Sequence, residues 1–132
     1  MKKKKILIFE DEWDTIKGSF EMANIYAFDG CLDFDVKAKS QEASFEALKS
    51  EYALVFIDIT LAKNTHLDGY NILKKIKEER LMDLNKVVIL TGNSEVTEKL
   101  KEIGTSKDEI TIVYKPFDFS ELSELLKGLL QL

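Results

Sequence analysis

Short runs of consecutive apolar residues alternate along this chain with segments whose apolar residues recur at helical spacing. The runs at residues 6–9, 53–57, 87–90 and 110–114 predict strands. Strict alternation of strand and helix is typical of parallel strands joined by right-handed crossovers, and continuous apolar strands are typical of sheets covered on both faces. The pattern therefore predicts a doubly wound α/β fold, with five parallel strands and five helices on the two faces of the sheet.

Weaker signals complete the predicted elements. Residues 34–38 alternate apolar and polar side chains, which indicates a half-exposed strand near the edge of the sheet. Ser40 and Ser94 stand where two of the helices are expected to begin, and serine is a favoured helix cap. Asp118 and Glu121 form a pair similar to a capping box, directly before the leucine-rich segment that predicts the last helix.

Trp13 precedes the first predicted helix, residues 15–27, and has two interpretations. It lies at helical spacing from Ile16 and Phe20, which favours a place in the core. The alternative is an exposed ring that forms part of a surface for a partner protein. The spacing makes the core the expected location.

Length, charge and cysteine content limit the classes of protein to consider. The 132 residues suit one domain, 1–132, and the net charge of −5 argues against direct binding of nucleic acid. Every apolar run is shorter than the roughly eighteen residues of a membrane span, and no secretory signal is recognisable. The single cysteine, Cys31, fits a reducing compartment. A cytoplasmic protein without membrane insertion is expected, and the lysines at residues 2–5 are interpreted as a solvated lead-in rather than a binding patch.

Charged and polar residues follow the predicted strands at the carboxyl end of the sheet. Glu10 and Asp11 follow the first strand, Asp58 the third, Thr91 the fourth and Lys115 the fifth. Parallel strands bring these ends to one edge, where ligands bind in open α/β sheets. Neighbouring carboxylates repel each other, and a hard divalent cation with oxygen ligands, such as Mg²⁺, together with the lysine would balance them. Taken singly, each residue also has a plain structural interpretation, as a helix cap, a turn acid or a solvated lysine.

The ordered set of motifs resembles the receiver domain of two-component response regulators. The match spans almost the whole chain and consists of ILIFEDE (6–12), LVFIDI (54–59), LDGYNILKKIK (67–77), VVILTG (87–92) and VYKPF (113–117). The resemblance implies a flavodoxin-like strand order, 2-1-3-4-5. It also implies Mg²⁺ as the cofactor, with Asp11 as a direct ligand and Glu10 bound through water. Asp58 and the backbone carbonyl of Thr60 would complete the protein ligands.

The same resemblance assigns a phosphoryl-transfer role to three residues. Asp58 would be the phosphoacceptor, Lys115 would contact a phosphoryl oxygen, and Thr91 would turn its hydroxyl onto the phosphoryl group. The expected donor is a histidine kinase or phosphotransfer protein, and the expected output is contact with a downstream protein or a homodimer. The chain would be a stand-alone signalling protein rather than an enzyme, catalysing only its own Mg²⁺-dependent phosphorylation and dephosphorylation.

Several residues depart from the pattern of the family. Ten residues, 59–68, separate the phosphoacceptor position from the next glycine, which is a longer loop than the family usually has. Gly92 replaces a usual alanine, and the position of the usual aromatic switch holds Ile112, for which Tyr114 is a candidate substitute. His66, the only histidine, lies in the lengthened loop and is expected to be a plain exposed residue rather than a relay or metal ligand.

Two other functions remain open from the residues. A pseudo-receiver would keep the fold as a protein-binding scaffold without phosphorylation, which the longer loop and Ile112 favour slightly. An aspartate-nucleophile phosphatase similar to the haloacid dehalogenase group would need a second aspartate two residues after the nucleophile, where this chain has Thr60. A receiver takes up one phosphoryl group, a pseudo-receiver takes up none, and a phosphatase turns over phosphomonoesters repeatedly.

Overall fold

Five parallel strands form one sheet in the order β2-β1-β3-β4-β5, which confirms the predicted fold class. The computed structural model describes residues 3–60, 65, 67–92, 96–106 and 108–130. The strands are β1 (Lys4–Phe9), β2 (Leu32–Lys37), β3 (Leu54–Asp58), β4 (Val87–Thr91) and β5 (Thr111–Tyr114). The strand predicted to be half-exposed, β2, lies at the edge of the sheet, where one side of its backbone has no neighbouring strand among the described residues.

Helices cover both faces of the sheet, because alternate residues of each strand point to opposite sides. In the described residues the α-helices are α1 (Trp13–Phe28), α2 (Gly69–Glu79), α3 (Val96–Glu102) and α4 (Phe119–Leu130). One face packs Ile8 and Phe56 under α1 and α4, and the other packs Phe9 and Ile57 under α2 and α3. These two apolar clusters fix the sheet from both sides. No α-helix of the described residues has the length and apolar character needed to span a bilayer.

The segment between β2 and β3 corrects one prediction. Two short 3₁₀ turns, Ser40–Glu42 and Phe45–Lys49, replace the expected helix, so the described residues contain four α-helices rather than five. Phe45 stacks on Phe9 with ring centroids 5.9 Å apart, and Leu48, three residues later, is buried. Side chains three residues apart lie above one another in a 3₁₀ turn, so a single turn buries both without a longer helix.

The two described cap predictions have different outcomes. The Oδ1 of Asp118 accepts a hydrogen bond of 2.8 Å from the backbone N–H of Glu121, as predicted for the start of α4. Ser40 lies inside the first 3₁₀ turn and does not cap a helix; its hydroxyl bonds to the loop that precedes α2. The prediction for Ser94 lies outside the described residues.

An aromatic cluster ties α1 to the sheet and confirms the core interpretation of Trp13. The ring of Phe20 lies 5.2 Å from that of Trp13, 5.3 Å from Phe34 and 5.2 Å from Phe56. Phe117, just after β5, lies 6.0 Å from the same ring. Aromatic pairs of this kind add about 1 kcal/mol each beyond the area that they bury. The start of α1, and with it the loop that carries the acidic residues, is therefore held against two strands and the segment after β5.

Candidate functional site

Three carboxylates meet at the carboxyl end of the sheet. One oxygen each of Glu10, Asp11 and Asp58 lies within 4.8 Å of the others. Glu10 and Asp58 are only 1% and 3% exposed, whereas Asp11 faces solvent. The backbone N–H of Glu10 continues the pairing of β1 with β2 by donating to the carbonyl of Lys37 at 3.0 Å. The cluster therefore stands on two neighbouring central strands, with one acid open to solvent.

Lys115 reaches into this cluster from the end of β5. Its Nζ lies 2.5 Å from Oε1 of Glu10 and 3.7 Å from Oδ2 of Asp58. The backbone N–H of Lys115 donates to the carbonyl of Thr91 at 2.8 Å, and the peptide bond to Pro116 is cis. The lysine that was expected to balance the acids thus lies among them, and Glu10 is its nearer partner.

The carboxyl of Glu10 is the most strongly perturbed group of the site. The pKa of Glu10 is raised from 4.5 to about 7, first by burial and then by the neighbouring Asp58, while Lys115 opposes both. Burial lowers the pKa of Lys115, but hydrogen bonding to Glu10 and the charge of Asp58 outweigh this, so its pKa is raised. One ammonium group therefore compensates the buried carboxylates only in part.

A second positive charge fits the remaining geometry. The Oε2 of Glu10 is buried and has no hydrogen-bond partner among the described residues. Buried polar atoms are rarely left without a partner, because the loss of hydration costs about 1–3 kcal/mol. Carboxylate oxygens are the ligands that Mg²⁺ prefers, and Mg²⁺ usually keeps several waters beside one or two carboxylates. The three acids are thus a suitable set of donors for a hydrated divalent cation.

The Asp58 carboxylate is oriented by the residue two positions later. Its Oδ1 accepts hydrogen bonds from the backbone N–H of Thr60 at 3.1 Å and from the Thr60 hydroxyl at 3.2 Å. These bonds leave Oδ2 on the side of Lys115. The roles predicted for Asp58 and for the backbone carbonyl of Thr60 stay predictions.

The other predicted positions lie around the cluster. Thr91 is buried at the end of β4, and Gly92 after it is exposed. Ile112 packs against the apolar cluster under α2 and α3, whereas the side chain of Tyr114 is 48% exposed. His66 lies outside the described residues, together with residues 61–64 of the lengthened loop.

Gly69 is a site residue whose importance the sequence analysis did not identify. A Cβ atom at this position would lie 2.5 Å from the carbonyl oxygen of Asp58 and 2.4 Å from the Cα of Ile59. Only glycine lets the start of α2 approach the end of β3 so closely. The motif LDG places a glycine at the start of the helix, but the sequence alone contains no sign of the atoms that face it.

The sheet order identifies the fold. This is the fold of response-regulator receiver domains, and the resemblance inferred from the motifs is confirmed. No family model matches the chain. A curated relative, the transcriptional regulatory protein HprR of Escherichia coli (strain K12), is 30% identical over 123 residues, which cover 89% of this chain and 48% of that protein. The chain therefore spans about half the length of this relative.

Solved structures extend the likeness to nearly the whole chain. A putative response regulator from Chloroflexus aurantiacus superposes with a TM-score of 0.72 at 22% identity, over 99% of this chain and all of the other. The receiver domain of the sensor histidine kinase PA1611 from Pseudomonas aeruginosa PAO1 matches with a TM-score of 0.66 at 20% identity, covering 98% and 99%. That receiver domain was solved with a magnesium ion coordinated in its active-site cleft.

Proposed function

We propose that residues 1–132 form one receiver domain, which accepts a phosphoryl group on Asp58 from a histidine kinase or phosphotransfer protein. The observation that carries the proposal is the meeting of Glu10, Asp11 and Asp58 within 4.8 Å, with the Nζ of Lys115 3.7 Å from Asp58. Phosphoryl transfer depends on positioning and charge neutralisation more than on covalent chemistry by other residues. A buried carboxylate between a lysine and a set of cation ligands supplies both.

Mg²⁺ is the cofactor of the proposed reaction. Asp11 and Asp58 would hold it directly, Glu10 through water, and the backbone carbonyl of Thr60 would be the third direct protein ligand. When bound, the cation neutralises charge on the carboxylates and on the phosphoryl oxygens. The buried Oε2 of Glu10, which has no partner in the described residues, supports this assignment.

In the proposed transfer, an oxygen of Asp58 attacks the phosphorus of a phosphohistidine. The new P–O bond forms as the P–N bond breaks, and the imidazole leaves with the electron pair and takes up a proton. Thr60 orients the carboxylate through its two hydrogen bonds to Oδ1, and Lys115 approaches from the side of Oδ2. The lysine would then pair with a phosphoryl oxygen.

The output of the proposed domain is a change of surface. Phosphorylation replaces the single charge of the Asp58 carboxylate by an acyl phosphate with up to two negative charges, which biases elements that have two arrangements. Thr91, buried beside the cluster, would turn its hydroxyl onto the phosphoryl group and draw in the segment that follows it. A downstream protein or a second copy of the chain would recognise the changed surface, and a cytoplasmic location gives access to these partners.

Mass spectrometry of the intact protein tests the proposal. After incubation with Mg²⁺ and acetyl phosphate, we expect a gain of one acid-labile phosphoryl group, which Asp58→Asn abolishes. Asp33→Asn, at an exposed aspartate of β2, is the matched control and should keep the gain. A wild-type protein that gains nothing would contradict the proposal and indicate a scaffold, and repeated turnover of phosphomonoesters would indicate a phosphatase.

A further inference from the structure

A partly buried hydrogen-bond network joins the segment after β2 to the loop that precedes α2. Ser40 is 1% exposed, and its Oγ accepts a hydrogen bond of 2.9 Å from the backbone N–H of Leu67. The backbone N–H of Ser40 donates to the hydroxyl of Thr65 at 2.8 Å. That hydroxyl in turn donates to the carbonyl of Leu67 at 2.8 Å. Two hydroxyl groups thus fix the backbone of a loop that lies 27 residues away from Ser40 in the sequence.

The fixed backbone lies directly beside the phosphoacceptor. Two residues after Leu67, Gly69 packs so closely on the end of β3 that a Cβ atom would lie 2.5 Å from the carbonyl oxygen of Asp58. Between them, Asp68 caps α2 by accepting the backbone N–H of Asn71 at 2.8 Å. The segment 67–69 is therefore held by Ser40 on one side and contacts the backbone of Asp58 on the other.

The same network reaches the acidic cluster from the side of β2. Ser40 follows β2 by three residues, and Lys37, the last residue of β2, accepts the backbone N–H of Glu10 at 3.0 Å. The acceptor of the Glu10 N–H thus lies three residues before Ser40, whose hydroxyl accepts the N–H of Leu67, two residues before α2.

We propose that Ser40 is a positioning residue for the phosphoacceptor, acting with Thr65 to hold the backbone beside Asp58 and so to set the lifetime of the phosphoryl group. This inference rests on the proposed function. Without the Ser40 hydroxyl, the N–H of Leu67 loses its buried acceptor, and on this side the segment 67–69 is held only by the hydrogen bond from Thr65 to the Leu67 carbonyl. A less constrained segment exposes the phosphorylated Asp58 to water, so hydrolysis becomes faster.

The test compares phosphoryl lifetimes after removal of acetyl phosphate at saturating Mg²⁺. We expect Ser40→Ala and Thr65→Val to shorten the lifetime by about fivefold, the factor that one net hydrogen bond represents. Thr65→Ser keeps a hydroxyl and should restore a lifetime close to that of the wild type. Ser123→Ala is the matched control, because Ser123 is also a buried serine but donates within α4, to the carbonyl of Phe119 at 2.7 Å.

A separate measurement distinguishes positioning from a general loss of structure. The Mg²⁺ affinity of each variant should equal that of the wild type, because none of these side chains is a proposed ligand. Unchanged lifetimes in both Ser40→Ala and Thr65→Val would overturn this inference and leave the proposed function intact. If Ser40→Ala does not fold, the pair Thr65→Val and Thr65→Ser decides the question. A wild-type protein that takes up no phosphoryl group would overturn both proposals.

Discussion

At the residue scale, Glu10 dominates the electrostatics of the site. It is buried between Asp58 and Lys115, has one unpartnered oxygen in the described part of the chain, and has a pKa raised to about 7, chiefly by burial. The protein thus keeps a carboxylate where ionisation is unfavourable unless a second cation is present. Such an arrangement favours ligand binding over stability.

Replacing Glu10 tests whether the buried carboxyl lowers the stability of the metal-free protein. Its folded pKa of about 7 exceeds the ordinary 4.5, so the folded wild type loses stability as the pH rises from about 4.5 to 7. We expect Glu10→Gln to remove that loss and to raise the free energy of unfolding in metal-free buffer at pH 8 by about 1–3 kcal/mol. Urea denaturation at pH 5 and pH 8 measures it. Glu12→Gln, at an exposed neighbour, should change stability by less than about 0.5 kcal/mol, and an equal gain there would contradict the interpretation.

Gly69 allows a prediction about packing. Alanine at this position would place its Cβ 2.5 Å from the backbone oxygen of Asp58 and 2.4 Å from the Cα of Ile59. Both are backbone atoms, which cannot move aside as the end of a flexible side chain can. We expect Gly69→Ala to destabilise the protein by about 2–3 kcal/mol, as overpacking does. Gly128→Ala, within α4 where a Cβ meets nothing within 4 Å, should instead stabilise by about 0.5–1 kcal/mol. Thermal unfolding of the two variants compares them directly, and equal effects would exclude the proposed contact.

At the element scale, the edge strand β2 is held by a polar anchor beside its apolar contacts. The hydroxyl of Tyr52 donates to Asp35 at 2.5 Å, and the Nζ of Lys37 lies 3.4 Å from the same carboxylate. Burial raises the pKa of Asp35, but the hydrogen bonds from Tyr52 and Lys37 outweigh it, so the pKa is lowered from 3.8. The anchor joins β2 to the residues just before β3, across β1, which lies between them.

The anchor predicts a pH-dependent contribution of β2 to stability. Because the folded pKa of Asp35 is lowered, its contribution is complete above the unfolded value near 3.8 and is lost as the pH falls through the folded value. We expect Asp35→Asn and Tyr52→Phe each to lower the free energy of unfolding by about 1 kcal/mol at pH 7. The difference between Asp35→Asn and the wild type should disappear in strong acid. Tyr26→Phe removes a hydroxyl from an exposed ring and should leave the denaturation curve unchanged. If Asp35→Asn lowers the free energy of unfolding equally at every pH, the interpretation of this anchor is wrong.

At the scale of the whole molecule, the site exists only because two apolar clusters hold the sheet from both faces. Glu10 and Lys115, which form an ion pair, are 105 residues apart in the chain. The central strands β1, β3 and β4 are buried along nearly their whole length, so their ends are placed with little freedom. The charged residues at those ends are thus brought together by packing that involves none of them.

Mg²⁺ should therefore stabilise the whole fold. A ligand that binds only the folded state adds about 2.7 kcal/mol at a hundredfold excess over its dissociation constant. We expect millimolar MgCl₂ to raise the melting temperature by several degrees, which for a domain of this size corresponds to about 1–2 kcal/mol. Asp11→Asn, at the exposed member of the cluster, should greatly reduce the shift without changing the metal-free stability. A similar rise with KCl of equal ionic strength would argue against a specific site.

From the residues alone one can predict the order of the elements, the faces that they bury and the edge at which Glu10, Asp58 and Lys115 meet. These follow from local periodicity and from the rule that parallel strands end on one side. Three features became visible in the folded protein alone: Lys115 lies nearer to Glu10 than to Asp58, Ser40 bonds to Leu67 instead of capping a helix, and two 3₁₀ turns suffice between β2 and β3. Each of these depends on distances between segments remote in the chain, which neither spacing nor residue type encodes.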